Sequence, residues 1–270
     1  MDLEIARDGL LSEIEEGLLI LAAGYPIERT SSTLEQLSRC LQALAICRLL
    51  ELGDVTKYRE NLTRSGFARR YFLRKSRETG NTTDRRLALS RNEAFFDALA
   101  AGQGLLAREI ALLSDDVWHE GWEYKDDHYY FAFLHQIVMH PPPAMEADLS
   151  VLLSQYEAAL EGDEPPRLAV LRSLAARDQG AFNVALRDLM EALDVQMQKR
   201  KDLLLDPSVE LFLLWPRSFV CIEGLALIAI ATALRMRVDE QIPLCPVVAR
   251  LSISTVPVED PFTGIEMRLP

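Results

Sequence analysis

Residues 92–116, NEAFFDALAAGQGLLAREIALLSDD, decide the fold. Apolar residues recur at helical spacing on both sides of Gly102-Gln103-Gly104, so the stretch reads as two short amphipathic helices joined by a tight turn. A related phrase, SLAARDQGAFNVALRDLMEAL at 173–193, returns about 75 residues later. In both, an apolar Ala-Ala element precedes a short Gly/Gln turn and a second amphipathic helix. Small residues ahead of a tight turn let two helices close on each other, as stacked helical hairpins require. The predicted fold is therefore all-α: an array of antiparallel helical hairpins, a repeat-like helical bundle.

Outward from these two phrases the helical period continues. Asp2 to Ala22 gives one helix, closed by Gly24-Tyr25-Pro26. The next is expected to begin at STLE, with Ser32 capping Glu35 and Glu35 reaching back in a capping box. It stops at Gly53, whose left-handed conformation suits a helix end. Cys40 and Cys47, seven apart, belong to its core face. From Val55 to Arg77 a basic amphipathic helix carries Tyr58, Leu62, Phe72 and Leu73 on one stripe. Arg69 falls inside that stripe and is expected to snorkel or to pair with a carboxylate. GNTTD at 80–84 is a loop, and Pro141-Pro142-Pro143 and Pro165-Pro166 mark turns between hairpins. Residues 1–250 are read as one all-helical domain. RLSISTVPVEDPFTGIEMRLP is β-branched and Pro-rich, so 251–270 is read as a short extended or β-like C-terminal tail packed on the body.

The totals suit a chain that buries a large core without staples: 270 residues, 49% hydrophobic and 26% charged. The acidic, interrupted opening is unlike a signal peptide, which points to a cytoplasmic protein. The greasiest run, Phe219 to Leu234, has sixteen residues including Glu223, short of the roughly twenty that span a bilayer, so no membrane role is expected. Cys40, Cys47, Cys221 and Cys245 form no C-x-x-C pair, and neither a disulfide framework nor a zinc knuckle is indicated. Net charge is -12, but residues 56–91 hold eleven Lys and Arg against Glu60, Glu78 and Asp84, leaving -20 on the remainder. Such a surface repels nucleic acid and steers basic proteins toward it.

Chemistry concentrates between Trp118 and Gln136, WHEGWEYKDDHYYFAFLHQ. On a helix starting near Asp126, Tyr130, Phe133, Leu134 and Ile137 form the core stripe, and His128 and His135 share the opposite face. Seven residues separate those histidines by about 10.5 Å along the axis, too far for one metal ion. There is no H-E-x-x-H, no phosphate loop, no dinucleotide fingerprint and no nucleophile elbow. Asp126 and Asp127 suit a helix N-terminus. No catalytic, cofactor-binding or metal residue is assigned, and no cofactor is expected. Trp118, Trp122 and Tyr124 are assigned first to core packing. The candidate partner-binding residues are Asp115, Asp116, Glu120, Glu123, Asp126, Asp127 and Trp122, an aromatic and acidic turn suited to anchoring and steering a protein.

Four segments, FFDALAAGQGLLAREIALLSDDVW, EYKDDHYYFAFLHQIV, AFNVALRDLMEAL and LALIAIATALRMRVDEQIPLCPVVARL, occur in an order that resembles the immunity protein 49 family of bacterial polymorphic toxin systems. The likeness covers residues 93 to 250. It implies a helical cytoplasmic protein that binds and neutralises a cognate toxin domain, with no catalytic residues to carry over. Trp118, Tyr124, Asp126 and Asp127 match as scaffold. The expected role is stoichiometric occlusion of a toxin, with the acidic surface favouring a basic one such as a nuclease; the rival is a helical-repeat adaptor.

Overall fold

The computed structural model describes residues 3–140, 146–203, 209–251 and 257–262. It is all-α: among the described residues there are twelve α-helices, two 3-10 turns and no strand. In chain order the helices are α1 (Leu3–Ala22), α2 (Ile27–Leu52), α3 (Val55–Thr79), α4 (Glu93–Ala100), α5 (Gly104–Leu113) and α6 (Lys125–Met139). They continue with α7 (Glu146–Ala159), α8 (Pro166–Ala176), α9 (Gln179–Leu203), α10 (Val209–Arg217), α11 (Ile222–Ala233) and α12 (Val247–Arg250). The 3-10 turns, Arg85–Leu87 and Leu89–Arg91, lie between α3 and α4.

The turns follow from a few residues. Gly53 takes φ 62° at the end of α2, and the Asp54 N–H returns to the Arg48 carbonyl at 3.1 Å. Asp54 then accepts the Lys57 N–H at 2.8 Å and starts α3, so two residues end one helix and begin the next. The paired sequence phrases make equivalent turns. Gln103 N–H donates to the Ala98 carbonyl at 2.8 Å past a left-handed Gly102, and Asp178 N–H donates to the Ser173 carbonyl at 3.0 Å past a left-handed Arg177. In the second copy Asp178 also caps α9 through the N–H groups of Gly180 and Ala181.

The capping box expected at Ser32 is not formed. α2 begins five residues earlier, behind Pro26 at φ -54°, which pre-sets the backbone for entry and brings buried Ile27, Thr30 and Ser31 into the helix. Glu35 instead accepts from Arg86 Nε at 3.1 Å.

Neighbouring helices pack in chain order from α1 to α10, and α10 then returns to lie against α1 and α2. Inside this closed circuit α11 packs on α4. Every residue of α4 after Glu93 is buried, and α11 buries Ile222, Leu225, Leu227 and Ile230, so these two helices form the centre. One continuous apolar core runs from Ala6 to Phe262. No single described helix is long and apolar enough to cross a membrane; Leu211–Arg217 and Ile222–Ala233 reach that composition only as a pair bent by 44°.

Of the 251–270 tail, residues 252–256 and 263–270 lie outside the described residues. Those between them lie on α3: Asp260 pairs with Arg70 at 2.6 Å, and buried Phe262 stacks on Tyr71 with ring centres 5.2 Å apart. The Pro141-Pro142-Pro143 turn also lies outside the described residues, between helices that pack on each other.

α11 reaches the centre because position 224 has no side chain. A Cβ there would meet Cys245 Sγ at 2.5 Å and Met190 Sδ at 2.6 Å. Gly224→Ala forces these sulfurs apart and should cost about 1–3 kcal/mol, read as a lower urea midpoint with an unchanged slope.

Candidate partner-binding cleft

α5 ends at Ser114, and residues 115–124 form an irregular ridge before α6. The ridge is held from within. Asp115 accepts the Val117 N–H at 3.1 Å, the His119 ring stacks on Trp122 at 4.3 Å, and Trp118 Nε1 donates to the Glu123 carbonyl at 3.4 Å. Lys125 Nζ sits 5.5 Å from the Trp118 ring centre. Asp115, Asp116 and Glu120 are exposed. Trp118 and Trp122 are half-buried, while Tyr124 is 79% exposed, so the aromatics expected in a core seam lie along a surface ridge. Helix packing does not cover them because the chain there is not helical.

Glu123 serves differently from its acidic neighbours. Its side chain is wholly buried; one oxygen accepts the Ser90 N–H at 2.7 Å and the other meets His128 Nδ1 at 3.0 Å. Burial raises its pKa, but these hydrogen bonds outweigh it and hold the carboxyl below its usual range. Glu123 pins the ridge to the second 3-10 turn. Asp126 and Asp127 occupy the first turn of α6, half-buried. Asp127 meets Arg167 at 3.0 Å, and Arg167 forks onto Glu223 with bonds of 3.0 and 2.9 Å. Tyr130 OH donates to Glu223 at 2.7 Å beneath the guanidinium, tying α6, α8 and α11 together. Burial nevertheless leaves the Asp127 carboxyl above its usual range despite Arg167.

His128 and His135 are both buried rather than turned to an outer face. Asn92 explains His135. Its amide nitrogen donates to Ser114 Oγ at 3.0 Å and to His135 Nε2 at 3.1 Å, while its oxygen accepts from Arg69 Nε at 3.0 Å. Burial, and then the Arg69 charge, push His135 down to about 3, so the ring is neutral and Nε2 is an acceptor. Arg69 also donates to the Arg86 carbonyl at 2.8 Å. It is buried on neutral acceptors, neither snorkelling nor paired with a carboxylate, and burial pushes it down to about 10.

The ridge forms one wall of a cleft of about 1100 Å³ whose other walls come mainly from α2, α3, α4, α9 and the α10–α11 corner. Asp127, Arg167 and Glu223 lie on its lining, as do Arg39, Arg91 and Arg217, which sequence reasoning did not select. They come from separate elements, so no local pattern could gather them; Arg69 inside an apolar stripe was the one visible signal. Behind the lining residues Ser38 and Gln42 lies Asp97, bonded to Ser65 and Gln42, with Ser65 2.7 Å from Ser38. Burial pushes the Asp97 carboxyl up to about 7 against the pull of those bonds. Cys221, also lining the cleft, is pushed up to about 12 by burial and is no thiolate nucleophile at neutral pH. Among the described residues no group of His, Cys, Asp and Glu gathers at metal-binding distance.

Residues 33–249 match the sequence model of a family described as Immunity protein 49. One curated protein, the putative carbamate hydrolase RutD of Acinetobacter baylyi (strain ATCC 33305 / BD413 / ADP1), is 34% identical over 87 residues. That is 32% of this chain and 33% of that protein, so the chain spans about a third of the relative it matches, and neither fold nor activity transfers. No solved structure gives a significant match.

Two stability outcomes follow from the buried polar groups. Asn92→Ala leaves Arg69 Nε and His135 Nε2 without partners and should cost about 3 kcal/mol in chemical denaturation. Asp97 is protonated in the folded protein up to about pH 7 and in the unfolded chain only up to its ordinary carboxylate range. Its contribution is therefore fully present in acid and lost as pH rises toward 7. Asp97→Asn should remove that fall, so that the melting-temperature gap between variant and wild type widens from pH 5 to pH 8 in the variant's favour.

Proposed function

Because this chain belongs to the immunity protein 49 family, we propose that it binds a cognate bacterial toxin in the cytoplasm of the producing cell and neutralises it by stoichiometric occlusion. The observation that carries the binding site is the ridge at 115–124. It sets two half-buried tryptophans and an exposed tyrosine beside exposed Asp115, Asp116 and Glu120, at the mouth of the cleft. Trp and Tyr bring large contact areas at low entropy cost, and exposed surface carboxylates steer a basic partner at long range.

Of the seven candidate residues, Asp115, Asp116, Glu120 and Trp122 remain on that surface. Asp126 and Asp127 flank it, with Asp127 engaged by Arg167, and Glu123 acts from beneath as the ridge's anchor. The buried or half-buried carboxylates of the cleft, Glu123, Asp127 and Glu223, are committed to internal pairs, an arrangement suited to a rigid docking surface rather than to proton transfer. A basic toxin, such as a nuclease, is the partner that the -20 outside residues 56–91 would steer.

Growth of susceptible cells expressing the toxin domain encoded beside this gene tests the reading: co-expression should restore growth, and the two proteins should elute as a one-to-one complex. Asp116→Lys with Glu120→Lys should slow association about tenfold at low salt with little change in dissociation, and added salt should slow the wild type similarly. An association rate indifferent to both would remove the electrostatic part.

A further inference from the structure

The cleft carries the opposite charge from the surface around it. On its α2 and α10 side the lining sets Arg39, Arg86, Arg91 and Arg217 against two carboxylates, Glu35 and Glu93, and Arg86 also pairs with Asp84, outside the lining, at 3.3 Å. Glu35 is held by Arg86 at 3.1 Å, with Arg91 only grazing it at 3.9 Å. Glu93 meets Arg217 at 3.3 Å, and the charges of Arg217, Arg39 and Arg91 together hold its carboxyl below the usual range. Across the cleft Asp127 and Glu223 are consumed by Arg167, and Glu123 by His128 and the Ser90 N–H. Of the lining carboxylates only Glu120, exposed on the ridge wall, is left without a partner among the described residues.

Three donors mark the deficit. Arg39 makes no hydrogen bond or ion pair with any described residue. The Arg217 Nε is buried without an acceptor among the described residues. Arg69, only 8% exposed and part of the lining, leaves Nη2 without an acceptor among the described residues although its other nitrogens are bonded. Buried guanidinium hydrogens without acceptors are costly, and a planar carboxylate is the group whose geometry satisfies them in pairs. Trp118, Trp122 and Phe96 on the same lining give apolar walls for the chain that would carry it.

We propose that the cleft receives an acidic side chain of the neutralised toxin, which inserts past the ridge and completes the Arg39, Arg91 and Arg217 group. This rests on the immunity reading, because a protein partner is what supplies both the inserted carboxylate and the surface that covers the aromatic ridge. The two charge zones then divide the labour: the acidic ridge governs encounter, and the cationic cleft governs register and lifetime.

Arg39→Glu with Arg91→Glu tests this, with Arg39→Ala/Arg91→Ala as the milder pair should the first lower the melting temperature. Dissociation of the neighbouring toxin domain is timed for wild type and variant, and tryptophan fluorescence is titrated with acetylated tetraglutamate, inorganic phosphate and ATP. Dissociation at least tenfold faster without slower association, together with tetraglutamate binding that the variant loses, is the expected result. An unchanged dissociation rate overturns the proposal and leaves the immunity reading standing. Phosphate or ATP binding in preference to tetraglutamate also overturns it, in favour of a phosphorylated ligand. Should the wild type not bind the toxin, the immunity reading itself fails, and the proposal for a toxin side chain fails with it; tetraglutamate binding would then still locate the carboxylate site.

Discussion

Asn92 holds the functional face together. One fully buried amide accepts from Arg69 of α3 and donates both to Ser114 at the end of α5 and to His135 of α6. All three contacts exhaust its donors and use its acceptor, and they hold only while His135 is neutral. Burial beside a guanidinium ensures that neutrality. The end of α5 and the body of α6 are thereby fixed to α3, and the ridge that connects them has both its roots held. Glu123 adds the third attachment, to the turn just before Asn92.

Around that hub the apolar logic is simple. α4 and α11 are buried along most of their length and so occupy the middle, with longer amphipathic helices around them. The cost of a central helix is visible at Asp97, a carboxyl in a position that burial makes neutral. Hydrogen bonds from Ser65 and Gln42 make it tolerable, and Ser38 links that cluster to the cleft.

Much of the fold was legible because helix ends and hairpin turns are local. Gly53, the Gly102 turn and its counterpart at Arg177 are set by residues within one helical turn of each other, and the family order of motifs is sequential. The capping box at Ser32 failed for the same local reason: a hydroxyl and a glutamate at the right spacing also occur inside a helix that Pro26 has already begun. The candidate site was half legible. The acidic and aromatic residues of the ridge are neighbours in sequence, whereas the arginines of the cleft come from α2, α3, α8, α9, α10 and the 3-10 turns and meet only in space. Whether a carboxylate faces out or in is also a tertiary matter. Glu120 and Glu123 stand three residues apart, and one is exposed while the other is buried on His128.

The return of α10 to α1 and α2 gives the fold a particular timing on the ribosome. The faces of α1 and α2 that α10 covers, with Gly9 against Phe212, are completed only when residues beyond 209 have been made. At ordinary synthesis rates of about 5–20 residues per second, the first hairpin waits roughly 8–33 s for its last neighbour. The nascent chain therefore carries an uncovered greasy seam for most of its synthesis, and the circuit closes late, through contacts far apart in sequence.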